Sequence, residues 1–205
     1  MRTKYALIGI IILGAILRLA FLATNPPHLT PDEASLGYNA YSILKTGKDE
    51  YGKTLPIIFK SFGDYKPGLY VYLTVPFVAT LGLNEWSVRL PSALAGVVAI
   101  YLLYLVVRQL FPKKKYLPLV SSFLLAIAPW HMHFSRGAWE VNVSLTLTIA
   151  GIYFFLKSFD KAKNIIFSAL FFALTLITYQ GAKLSSAIVL FLLVVTFWKE
   201  VKKLV

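Results

Sequence analysis

The sequence predicts an all-α, polytopic membrane protein, and three observations carry that reading. Of the 205 residues 58% are hydrophobic and only 15% charged, with a mean hydropathy of +0.68. That is more apolar surface than a soluble domain of this size hides. Apolar runs of membrane length alternate with blocks of charge. The charges themselves segregate by sign along the chain, and the net charge of +12 comes from 21 Lys and Arg against 9 Asp and Glu. The chain has no cysteine, which excludes a disulfide framework, a thiolate metal site and a cysteine nucleophile.

The first span covers 5–23. Arg2 and Lys4 precede it as in a signal peptide, but Arg18 lies inside the run and no A-x-A site follows, so the segment reads as a retained span. Asn25-Pro26-Pro27 stops this helix. A short helix from Pro31 to Leu44 follows, and then an irregular stretch punctuated by Gly47, Gly52 and Gly63. The apolar run from Pro67 to Leu83 is short and broken by Pro76, which suits an interfacial or shallowly re-entrant helix. Five further spans cover 89–111, 117–134, 140–157, 164–180 and 184–198. The last three are short against the ~20 residues that a ~30 Å hydrocarbon core asks for. The prediction is one membrane module over 1–205, with six transmembrane helices and a long external first loop, 24–88.

Orientation follows from the charges. If 67–83 does not span, the N-terminus and the clusters Lys113–Lys115, Lys157–Lys163 and Lys199–Lys203 share one side, opposed only by Asp160 and Glu200. The other side holds Asp32, Glu33, Asp49, Glu50, Asp64, Glu85 and Glu140. The positive-inside rule then makes both termini cytoplasmic in a multi-pass protein of the cell membrane. The +12 is thereby an orientation signal, and no nucleic-acid partner is needed to explain it.

The residues able to carry chemistry cluster in the external segments. In Thr30-Pro31-Asp32-Glu33, Thr30 suits an N-cap, Pro31 the first helical position and Glu33 a capping box. Capping does not use Asp32, whose carboxylate is either a harmless helix-start acid or a catalytic one. Lys66, in Gly63-Asp64-Tyr65-Lys66-Pro67, has two readings: a lysine snorkelling to the headgroups, or a grip on a lipid phosphate. Asp64 orients it or is solvated. Arg136 and Glu140 occupy the short turn between two spans, either as an ion pair or at the mouth of a cavity. His131-x-His133 is weak evidence for a metal site. Tyr179, Gln180 and Lys183 line the same cavity or cap the last external hairpin. Arg18 snorkels or pairs with a loop acid. There is no Gly-rich phosphate loop, dinucleotide fingerprint or H-E-x-x-H motif.

These pieces, in this order, resemble the N-terminal membrane module of GT-C glycosyltransferases, and within them the protein O-mannosyltransferase and lipid A aminoarabinose-transferase group (glycosyltransferase family 39-like). The pieces are Leu17-Arg18-Leu19, Asp32-Glu33, Asp64-Tyr65-Lys66-Pro67-Gly68-Leu69-Tyr70, Arg89-Leu90-Pro91-Ser92 and Ser135-Arg136-x-x-x-Glu140. The resemblance spans nearly the whole chain, and it implies a function. A sugar moves from a polyprenyl-phosphate donor to a hydroxyl of a lipid, protein or glycan acceptor outside the membrane, with inversion at the anomeric carbon. Asp32 would be the general base and Glu33 its paired acid. Lys66 would hold the carrier phosphate, with Arg136 as a possible second cation. Asp64, Glu140, Tyr179 and Gln180 would complete the substrate site. Gly68 replaces the family's usual second proline, and Glu140 stands where many relatives have Asp. A cofactor is unknown: a divalent cation is left open and none is required by the sequence.

Family members carry more spans than six, so the chain is expected to be a fragment or half of a split gene, with a second chain supplying the missing C-terminal helices. The competing expectation is a non-catalytic membrane protein that binds polyprenyl phosphate or a partner on a truncated scaffold. A channel or transporter would need polar residues at mid-membrane, and the spans after the first carry almost no charge between their ends.

Overall fold

The structure is a computed structural model and describes residues 2–203. Met1, Leu204 and Val205, and with them the expected placement of the chain ends, lie outside the described residues. The elements in chain order are α1 (Arg2–Leu19), α2 (Pro31–Thr46), β1 (Ile58–Ser61), β2 (Asp64–Pro67), α3 (Leu69–Leu81) and α4 (Glu85–Leu110), then α5 (Leu117–Ile127), α6 (Pro129–Arg136), α7 (Glu140–Ser158), α8 (Asn164–Leu176), α9 (Ala182–Thr196) and α10 (Trp198–Val201).

The helical class holds, and each of the six predicted spans contains a helix. Two of them, α4 and α7, are long and apolar enough to cross a membrane, and a third crossing is available if the bent pair α5 and α6 counts as one. The bend between those two is 57°. Its cause is Pro129, which cannot donate to the ladder and starts α6 instead of continuing α5. With 13 and 15 residues, α8 and α9 each reach only about 20 Å at ~1.5 Å per residue, so six full crossings are not established by helix length.

Three further boundaries differ from expectation. The first helix ends at Leu19 rather than at the Asn25-Pro26-Pro27 break, because Phe21 adopts a left-handed φ of 56°. The helix expected to begin near Arg89 starts earlier, at Glu85, where Asn84 and Ser87 form a capping box. The stretch read as irregular contains an antiparallel hairpin, with Phe59 opposite Lys66 and Ser61 opposite Asp64. Phe62 and Gly63 both take positive φ in its two-residue turn, the geometry a tight hairpin demands.

The central helix is α4, which packs against α1, α3, α5, α6 and α7. The main apolar core lies at one end of the bundle, under the folded first loop. It joins Leu36, Ala40 and Ile43 of α2, Phe59 of β1, Tyr70 and Val71 of α3, and Val88 and Val143. Along the shafts the pattern is inverted. Ile12, Ile16, Ile188, Phe191 and Leu192 are exposed, whereas Ser92, Asn142, Thr146, Ser168 and Thr175 are buried. The buried polar groups bond across helices: Asn142 Nδ2 to Ser92 O (2.8 Å), Thr146 Oγ1 to Ala95 O (3.0 Å) and Ser168 Oγ to Gly151 O (2.9 Å). Small and hydroxyl residues inside, with aliphatic ones outside, is how helices pack in lipid.

Candidate active site

The first loop builds one wall of the site. Thr30 accepts the Glu33 N–H and Glu33 Oε2 accepts the Thr30 N–H, at 3.3 and 2.9 Å. The predicted capping box is therefore present, with Pro31 in the first turn and α2 extending two residues past Leu44. It fixes the direction in which Asp32 leaves the helix. The hairpin brings Lys66 to the same place, and Lys66 Nζ lies 2.5 Å from Asp32 Oδ1. The hairpin is fastened from both sides. Ser61 Oγ donates to Ser35 Oγ at 2.8 Å, Gln180 Nε2 to the Tyr65 carbonyl at 3.1 Å, and the Leu69 N–H to Ile177 O at 3.0 Å.

Around this pair is a pocket of about 310 Å³. Asp32, Asp64, Lys66, Glu140, Tyr179 and Gln180 all line it, so six of the eight expected site residues meet in one place. Glu140 arrives as the first residue of α7. Asp64 Oδ1 accepts the N–H of Tyr65 rather than orienting Lys66. Tyr65, Pro67, Phe134, Trp139, Val141 and Thr178 complete the lining. Among the described residues Lys66 is the one cation facing the pocket, and no group of three or more His, Asp or Glu has metal-binding placement.

Glu33 and Arg136 are not brought to it. Glu33 is 2% exposed. Its Oε1 accepts from Arg89 Nε and the Ala138 N–H, both at 2.9 Å, and its Oε2 from Arg89 Nη2 at 3.2 Å. Burial alone would raise the Glu33 carboxyl. The hydrogen bonds from Arg89, Thr30 and Ala138, with the Arg89 charge, outweigh burial and hold it below the usual carboxylate value. Arg136 makes no ion pair with Glu140. Its guanidinium donates to the carbonyls of Leu17 (2.7 Å), Ala20 (2.8 Å), Phe21 (3.2 Å) and Asn25 (2.8 Å). It thus closes the frayed C-terminal end of α1, where carbonyls lack partners and a cation is favoured.

Arg18 departs from expectation too, neither snorkelling nor meeting a carboxylate. It is fully buried and donates to the carbonyls of Gly14, Leu125 and Ala126 and to Ser135 Oγ, with His131 Nδ1 at 2.7 Å. That engagement also occupies one ring nitrogen of the His131-x-His133 pair. Gly96 makes room for this junction, since a Cβ there would collide with Ser135 and stand 3.0 Å from Arg18 Nε. The structural weight of Arg89 was missed. Its motif was visible, but three of its five acceptor atoms are the backbone carbonyls of Leu22, Pro26 and His28, which no motif marks.

A carboxylate and a lysine at the mouth of a pocket, set at one end of an apolar bundle, fit the class of membrane glycosyltransferases. A family model described as dolichyl-phosphate-mannose-protein mannosyltransferase matches residues 65–205, and the chain belongs to that family. The membership supports a membrane glycosyltransferase of mannosyltransferase type. Lys66, Arg136, Glu140, Tyr179 and Gln180 fall within the matched region, and Asp32, Glu33 and Asp64 precede it. No curated protein and no solved structure matches the chain.

Proposed function

We propose that the protein transfers a sugar from a polyprenyl-phosphate-linked donor to an acceptor hydroxyl at the outer face of the cell membrane, with inversion. The observation that carries this reading is the Lys66–Asp32 contact on a pocket that Glu140 also lines. The donor phosphate competes with Asp32 for Lys66. Once Lys66 turns to the phosphate, Asp32 Oδ1 is free for the acceptor hydroxyl. As the hydroxyl oxygen bonds to the anomeric carbon, its proton passes to Asp32. The carbon–oxygen bond to phosphate breaks, the electron pair stays on the phosphate, and Lys66 offsets the charge. Glu140 accepts hydrogen bonds from sugar hydroxyls, and Tyr65, Trp139 and Tyr179 offer ring faces to the apolar side of the sugar. Glu33 and Arg136 act at one remove, by fixing α2 and the end of α1.

In this reading six helices pass the membrane, both termini are cytoplasmic and 24–88 is external. The exposed apolar faces of α8 and α9 support a neighbour there, either lipid or further helices from a second chain. The test is Asp32→Asn, assayed for transfer and, separately, for retention of the polyprenyl-phosphate carrier. Transfer is lost and carrier binding kept. Undiminished transfer removes Asp32 from the role of base, and loss of both would make it a binding residue only.

A further inference from the structure

The end of the bundle away from the Asp32–Lys66 pocket carries a separate cavity of about 510 Å³. Lys4 from the start of α1, Arg108 from the last turn of α4, and Lys114 and Lys115 from the α4–α5 link converge on it, with Tyr101 and Tyr104 between them. Among the described residues no acidic side chain lines it, and none of the four cations pairs with a described carboxylate. Lys115 lies over the ring of Tyr116, 5.5 Å from its centre, a contact that leaves its charge unneutralised.

The positive-inside rule accounts for lysines on this side but asks only for a number of them in the loops. It does not ask that three separate segments aim their cations into one concavity. The α4–α5 link is folded for this, with the Lys114 N–H donating to Phe111 O at 3.0 Å. The cavity is amphipathic: Leu7, Leu105 and Phe111 share the lining with the cations, and Phe111 is 49% exposed. Four like charges held together repel one another unless an anion joins them.

We propose that this cavity binds the phosphate headgroup of an anionic phospholipid, its acyl chains lying along the exposed apolar rim of α4 and α5. Basic pockets between membrane helices are suited to such headgroups. A free phosphate shares the charge chemistry but has no use for the apolar rim. The site is distinct from the transfer pocket, and the inference depends on the chain being membrane-embedded, not on the proposed reaction.

The experiment titrates phosphatidylglycerol into the purified protein in neutral detergent and reads the rise in melting midpoint, with phosphatidylcholine and inorganic phosphate as parallel titrants. Phosphatidylglycerol raises the midpoint and the other two do not. Lys114→Gln/Lys115→Gln, which alters only exposed side chains, weakens the apparent affinity about thirtyfold. Lys199→Gln/Lys203→Gln removes the same charge outside the cavity and leaves the affinity unchanged. Three results overturn the proposal: equal weakening by the two pairs, which would mean that only net charge matters; an equal shift from phosphatidylcholine; or a full shift from inorganic phosphate, which would make the ligand a free anion.

Discussion

Replacing Arg89 by Met should lower the stability of the protein more than any change in the transfer pocket. Arg89 is fully buried and makes five hydrogen bonds, two to Glu33 and one each to the carbonyls of Leu22, Pro26 and His28. Methionine fills much of the same volume, so the cost is mostly electrostatic. It leaves the buried Glu33 carboxylate with only the Thr30 and Ala138 N–H groups, and it orphans three carbonyls. Breaking a buried pair in this way costs about 3–5 kcal/mol. For a chain of this size that is a fall of about 10 °C in melting midpoint. The pH dependence supplies a second readout with opposite signs in the two proteins. In the wild type the Glu33 carboxyl is held below its unfolded value. Its contribution is therefore complete above the unfolded value of ~4.3 and is lost as pH falls through the lower folded value. In Arg89→Met burial acts without its counterweight and lifts the carboxyl above the unfolded value. The deficit of the variant then shrinks as pH falls from about 7 towards 5, because the folded form takes up the proton. Melting curves in detergent across that range make the measurement. A midpoint within about 1 °C of wild type, or a deficit that widens on acidification, would refute the reasoning.

Lys66→Gln should raise the KM for the polyprenyl-phosphate donor and cut kcat by about a hundredfold, the usual cost of removing one group that stabilises developing negative charge; unchanged steady-state constants would leave the lysine as a partner of Asp32 only. Arg136→Met should cost about 1–2 kcal/mol in stability with the donor KM unaltered, whereas a raised KM would restore the second-cation role. Gly96→Val should destabilise by about 1–3 kcal/mol through overpacking against Ser135 and Arg18, and a melting midpoint equal to wild type would mean that α4 and α6 separate easily.

How much could be read in advance depended on how far apart the partners lie. The start of α2 was fully legible, since Thr30 and Glu33 satisfy one another within three residues and Pro31 between them needs no donor partner. Lys66 and Glu140 stand out as ionisable groups beside apolar runs, but from the residues alone each also has a bland reading, a snorkelling lysine and an ion pair with Arg136, and only the family resemblance assigns them to a substrate site. The hairpin between Ile58 and Pro67 was not legible. Two strands of four residues carry too little periodicity, and the signal available, Phe62-Gly63, is a weak turn. The arginines were misjudged in a common way. Arg18 and Arg136 were weighed against acids or lipid, and Arg89 entered only as part of a motif, yet most of their acceptors are backbone carbonyls.

The sequence alone determined the apolar helices, the split of acids and bases between the two ends of the chain's turns, and the capped helix that presents Asp32. These follow from local hydrogen bonding and from the cost of charge in hydrocarbon, both properties of short windows. The tertiary structure decided that Asp32 and Lys66 touch, that Glu33 and Arg136 brace the fold instead of facing the pocket, and where α1 ends. Those outcomes turn on carbonyl oxygens and on the closure of a distant hairpin, and every residue carries the same carbonyl, so no side-chain pattern marks which ones an arginine will find.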